Sequence, residues 1–135
     1  MRLEVTRKSD LAVRMLRVLA ASDRRLKGPE LALLVDSTAG FVSQVATPLV
    51  RAGWVRSDPG PTGGYSLIGD LSSVSVLAVI EAVEGPTDSG RCVLADRPCN
   101  ETGTCALHQP WQRARSQLRH ELDATAVADA SLLPT

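Results

Sequence analysis

The sequence predicts a mainly α fold with a small β wing: a winged helix-turn-helix followed by a long C-terminal dimerisation helix. Three observations carry that expectation. Helical apolar periodicity recurs over residues 9–21 and 39–52, with a short helix and a polar turn between them. Two short alternating stretches flank a Pro/Gly-rich tip at residues 58–64. A last amphipathic stretch runs from Leu107 to Asp123.

From Ser9 to about Ala21, Leu11, Met15 and Val18 fall at i, i+4 and i+7, with Ala12, Leu16 and Leu19 on an adjoining row. Asp10, Arg14 and Arg17 take the opposite face. Ser9 is expected to cap this helix, and Asp10 suits its positive first turn. A polar loop over residues 22–27 leads to Gly28-Pro29, which starts a short helix through Val35 with proline at its tolerated first position. Asp36, Ser37 and Thr38 supply a turn and a cap. The third helix has Val42, Val45 and Leu49 as its core row, and Gly53 stops it. Pro48 removes the bond to the Gln44 carbonyl and is expected to bend that helix. Residues 54–57 and 65–68 alternate as the two strands of the wing. A fourth helix is expected over residues 74–83.

Residues 85–104 follow neither period, and a loop of that length in a compact domain usually has a function. It holds Cys92 and Cys99; Cys105 and His108 come next, and the chain has no other cysteine. In the final helix Leu107, Trp111, Ala114, Leu118 and Leu122 form one stripe, with Arg113, Arg115, Arg119 and Glu121 on the other side. That stripe can pack on its own domain or on a second copy. The expected organisation is a DNA-binding domain over 1–84, a ligand loop over 85–108, and a dimerisation helix with tail over 109–135.

Net charge is zero, but unevenly distributed. Residues 1–57 carry ten Lys/Arg against five Asp/Glu, and residues 58–135 five against ten. A basic front half fits a nucleic-acid-facing module. No run approaches the length of a membrane span, and the opening residues lack the apolar core of a signal peptide, so a cytoplasmic protein is expected. Reduced thiols in that compartment point to metal or redox chemistry rather than disulfides. The aromatics Phe41, Trp54, Tyr65 and Trp111 are too scattered for a base-stacking platform, so RNA is not an expected partner. No Gly-rich nucleophile turn or orienting carboxylate supports an enzyme.

Three thiols and an imidazole can hold zinc or an iron–sulfur cluster. His108, three residues past Cys105, lies on the same helical face. Asp10, a helix-start carboxylate four residues before Arg14, has a local role available in any case. For double-stranded DNA, the third helix offers Thr38, Phe41, Ser43, Gln44 and Thr47 to the major groove. Gln44 suits adenine and Phe41 a thymine methyl. Arg2, Arg7, Lys8, Arg51 and Arg56 are candidate phosphate contacts.

In this order of elements, Met1-Arg2-Leu3, Gly60-Pro61-Thr62-Gly63-Gly64-Tyr65, and Cys92-x6-Cys99-x5-Cys105-Ala106-Leu107-His108 followed by Trp111 resemble the IscR/NsrR family of bacterial winged-helix regulators. The resemblance spans nearly the whole chain. It implies a homodimer, most simply a repressor, whose operator binding follows an iron–sulfur cluster that senses redox, nitric oxide or iron–sulfur status. It implies Cys92, Cys99 and Cys105 as thiolate ligands. Cys105-Ala106-Leu107-His108 resembles the IscR branch, with His108 completing a [2Fe–2S] site, the favoured assignment. Residues 9–14 resemble the NsrR branch, in which Asp10 would serve a partner's [4Fe–4S] cluster. Structural zinc or a cluster-free thiol switch is the alternative. The chain departs from the family at two places: the six-residue gap from Cys92 to Cys99 is longer than expected, and Pro59 stands where many relatives carry a wing-tip arginine.

Overall fold

The computed structural model describes residues 1–95, 97–99, 103 and 105–130; residues 131–135 of the expected tail lie outside these. The first helix, α1 (Arg7–Ala21), begins two residues before the expected start. Thr6 caps it, accepting a hydrogen bond from the Ser9 backbone at 3.3 Å. Ser9 is therefore not the cap. It faces inward, fully buried, and its hydroxyl donates to the carboxylate of Glu84. The apolar rows of α1 are buried as their spacing predicts, except Val18, which is only partly covered.

Helices α2 (Gly28–Leu34) and α3 (Ala39–Arg51) meet at 99°, within the range of a helix-turn-helix. The turn closes through Ser37 N–H donating to the Ala32 carbonyl at 2.8 Å. Asp36 sits there at φ +54°, a left-handed conformation that a short polar side chain tolerates. Thr38 caps α3, accepting from Phe41 N–H at 3.1 Å. The helix runs on through Pro48 to Arg51.

The wing pairs β1 (Val55–Asp58) with β2 (Gly64–Leu67), antiparallel, from Val55 opposite Leu67 to Asp58 opposite Gly64. The loop before α2 joins it as a third, one-residue rung: Leu26 N–H donates to the Tyr65 carbonyl at 3.0 Å and Tyr65 N–H to the Leu26 carbonyl at 2.8 Å. This approach explains a glycine. Gly64 lies at φ +143°, and a Cβ there would sit 2.6 Å from the Leu26 oxygen.

After a 3-10 turn (Leu71–Ser73), α4 (Val76–Glu84) is capped by Ser75, so Val74 lies before the helix rather than in it. α5 (His108–Asp123) follows the cysteine loop. The chain then returns: Val127 is fully buried, and its N–H donates to the Val74 carbonyl at 2.8 Å. It joins Met15, Leu16, Leu31, Val42, Leu49, Val55 and Val79 in one core. No single helix among the described residues is long and apolar enough to cross a membrane.

Candidate metal centre and nucleic-acid face

The three cysteines, seven and six residues apart in sequence, converge. Cys105 Sγ lies 3.7 Å from Cys92 Sγ and 3.9 Å from Cys99 Sγ, and all three sulfurs are within 4.8 Å of one another. None forms a disulfide, and all are partly buried. The loop is drawn in by Cys92 N–H donating to the Arg97 carbonyl at 2.8 Å. Leu94 N–H donates to Cys92 Sγ at 3.4 Å, and this bond is the first cause holding the Cys92 thiol below its ordinary pKa. Cys99 goes the other way. The Cys105 N–H pulls it down, but burial and the neighbouring sulfurs outweigh that and push its thiol up. A cation among the sulfurs would relieve the crowding of like charges that ionising all three would create.

The sulfurs open on a cavity of ≈ 180 Å³ that His108, Trp111, Gln112 and Arg115 line from one face of α5. His108 is the first residue of α5, its N–H donating to the Cys105 carbonyl at 3.1 Å. It lines this cavity but stands outside the tight three-sulfur group. Asp10 is elsewhere: it pairs with Arg14 at 3.3 Å and borders a groove with Val13, Val76 and Ile80. A single chain thus brings together Cys92, Cys99, Cys105 and, at the cavity wall, His108, but not Asp10.

Sequence reasoning missed Arg115. By its spacing it belongs with the solvent-facing residues of α5, yet it lines the cavity and bridges to Asp88 at 3.4 Å, its side chain 17% exposed. The signal was there: 108, 111, 112 and 115 share one face of a 3.6-residue period. One turn on, Arg119 reaches Glu81 of α4 at 3.4 Å. Glu81 also accepts from Thr87 N–H at 2.7 Å, and that bond is the main cause holding its carboxyl below the usual range.

On α3, Ser43, Gln44, Thr47 and Arg51 are exposed together. Thr38 spends its hydroxyl on the cap, and Phe41 is partly packed against the core. Arg2, Arg7, Lys8 and Arg56 are exposed.

A helix-turn-helix with a wing, joined to three convergent thiols, has relatives. Residues 5–131 match the Rrf2 family, described as iron-dependent transcriptional regulators. The chain belongs to this family. A Mycobacterium tuberculosis (strain H37Rv) protein named as an HTH-type transcriptional regulator is 31% identical over 132 residues, covering 96% of this chain and 81% of that protein. The regulator IscR of Yersinia pestis is 32% identical over 89 residues, 66% of this chain and 54% of that protein. Among solved structures, CymR, the global cysteine regulator of B. subtilis, superposes with a TM-score of 0.73 at 22% identity, covering 95% of both chains. T. potens IscR gives 0.73 at 21%, covering 94% of this chain and 85% of that one. These two likenesses are of fold. As an Rrf2-family chain, this is a DNA-binding transcription regulator, and its relatives are regulators rather than enzymes.

Proposed function

We propose that the chain works in the cytoplasm as a homodimeric repressor whose operator affinity follows an iron–sulfur cluster on Cys92, Cys99 and Cys105, with His108 as fourth ligand. The observation that carries this reading is the convergence of all three thiols at the start of a helix whose apolar stripe is only partly covered among the described residues. In α5 no residue is buried, Leu118 is 42% exposed, and Trp111 and Leu122 are only half-buried. A second copy would cover that stripe. Soft sulfur donors and an imidazole fit either a [2Fe–2S] or a [4Fe–4S] cluster. When bound, the cluster would supply a centre that responds to redox state or nitric oxide.

The chain's own groups do the rest. Backbone N–H groups at Leu94 and Cys105 stabilise thiolates. Trp111 and Arg115 wall the cavity, Arg115 held there by its pair with Asp88. Through Arg119–Glu81 and Ser9–Glu84, α5 and α4 are tied to α1 of the DNA-binding part. DNA would be read by Ser43, Gln44 and Thr47, with Arg2, Arg7, Lys8, Arg51 and Arg56 on phosphates. Asp10 is the alternative fourth ligand, and it would have to act on a partner's site.

One observation favours a second reading, structural zinc. Zn–S bonds of about 2.3 Å at tetrahedral angles put sulfurs roughly 3.8 Å apart, and the observed 3.7 and 3.9 Å match that for one ion. Anaerobic purification separates the two. The cluster reading expects brown protein containing iron and sulfide, with colour lost in Cys99→Ser and altered in His108→Ala. Colourless protein with one zinc per chain establishes the zinc reading instead. Protein with neither metal, whose triple Cys→Ser form binds its promoter unchanged under every redox condition, ends both.

A further inference from the structure

Arg25 was not among the expected DNA contacts, because in sequence it belongs to the loop between α1 and α2. The fold moves it. Leu26 is a rung of the wing and is only 2% exposed, so its neighbours on the extended chain, Arg25 and Lys27, are directed to the opposite side. Arg25 Nη1 lies 3.3 Å from Asp58 Oδ2, and Arg56 Nε lies 3.2 Å from Asp58 Oδ1. Asp58 ends β1 opposite Gly64, so this triad stands at the tip end of the hairpin.

Two guanidinium groups share one carboxylate, which leaves a local charge of +2 − 1 = +1. Each arginine gives Asp58 one nitrogen and has further N–H donors. The carboxylate lies beneath, 22% exposed, while the Arg25 and Arg56 side chains are 48% and 68% exposed. The neighbouring Arg24 is a contrast. Glu30 takes both of its terminal nitrogens, at 3.2 and 2.7 Å, and that pair is closed.

We propose that Arg25 and Arg56 form a phosphate seat for the backbone of duplex DNA at the wing tip, with Asp58 between them holding the net charge of the seat down to +1. The inference rests on the DNA-binding reading and adds a residue and a role to it. Guanidinium forks match phosphate oxygens two at a time, and a phosphate lying across both arginines completes the charge that Asp58 only half satisfies. The wing follows α3 directly, β1 starting at Val55 after α3 ends at Arg51, and the two elements pack together, so the seat is carried by the element next to the helix that holds Gln44. The chain lacks an arginine at position 59, and the α1–α2 loop delivers a cation to that end of the wing instead.

The test is fluorescence anisotropy of the full-length chain with its own promoter duplex and with a scrambled duplex of equal length, across a salt series. Arg25→Ala and Arg56→Ala should each flatten log K against log [salt] by about 0.9 and weaken both duplexes alike. Arg25→Lys should recover most of the slope with lower affinity. Asp58→Asn, which raises the triad to +2, should tighten both duplexes several-fold. Gln44→Ala should reduce the preference for promoter with no change of slope, and Arg113→Ala on α5 should change neither. Unchanged slopes in both alanine variants, while Gln44→Ala still loses preference, overturn the seat and leave the DNA-binding reading standing. An Asp58→Asn protein as weak as Arg25→Ala also overturns it. If the unmodified chain binds neither duplex in a salt-dependent way, the reading beneath fails too.

Discussion

The winged-helix part and the cysteine loop with α5 are ordered by different chemistry. In the first, Met15, Leu16, Leu31, Val42, Leu49 and Val79 are fully buried, and withdrawal of apolar surface from water holds the helices together. In the second, α5 buries nothing fully and the loop is tied by polar links: Thr87 to Glu81, Arg115 to Asp88, Arg119 to Glu81. Exposed ion pairs of this kind contribute at most about 1 kcal/mol each. The first region, with the returning Val127 in its core, is therefore held by apolar packing. On the proposed reading, a metal held by the sulfurs would add its ligation energy to the order of the second region, which has no fully buried residue in α5.

The strongest way to break that contrast is a cavity in the core. Leu16→Ala should cost about 2–5 kcal/mol, read as a lower midpoint in urea unfolding. Metal content measured well below that midpoint should stay as in the parent chain. A metal loss parallel to the loss of stability would show that the two regions fold as one unit.

Next in size is the wing. Gly64→Ala places a methyl 2.6 Å from the Leu26 oxygen on a backbone at φ +143°, and should cost about 1–3 kcal/mol. Amide exchange at Leu26 and Tyr65 should rise with no change at the cysteines. Unaltered protection at Leu26 would mean that the loop is not held by the wing.

The smallest effect is a titration. The folded-state pKa of Glu81 is depressed, chiefly by the Thr87 N–H. Its contribution is therefore full above the ordinary carboxylate range, near about 4.3, and is lost as pH falls through the lower folded value. Exchange protection of the Thr87 amide should decline on acidification in that window, and Glu81→Gln should remove the pH dependence. A Thr87 amide indifferent to both would separate the loop from α4.

The helical part was legible because its signals are local. Spacing of Leu11, Met15 and Leu16, the polar turn at Asp36–Thr38, and the glycines around the wing each report through neighbours in sequence. The cysteines were legible as a set because nothing else explains thiols in a polar loop. What escaped depends on long-range placement. Ser9 reads as a cap by sequence, but Thr6 has the same chemistry and its use turns Ser9 inward toward Glu84, 75 residues away. Arg25 looks like a loop charge until Leu26 pairs with Tyr65. Arg115 reads as solvent-facing because the apolar stripe of α5 dominates its pattern, while the cavity wall lies at an angle to that stripe. The rung at Leu26 and the return of Val127 have no periodic signature at all.

That return has a practical meaning for anyone shortening the chain. Val127 fills the middle of the domain although it follows α5, and Val76 N–H donates to the Thr125 carbonyl at 2.8 Å. Clipping the polypeptide after Asp123 would hollow out the DNA-reading half while leaving every cysteine in place. A protease nick there would loosen the DNA-reading half, with the cysteine loop untouched.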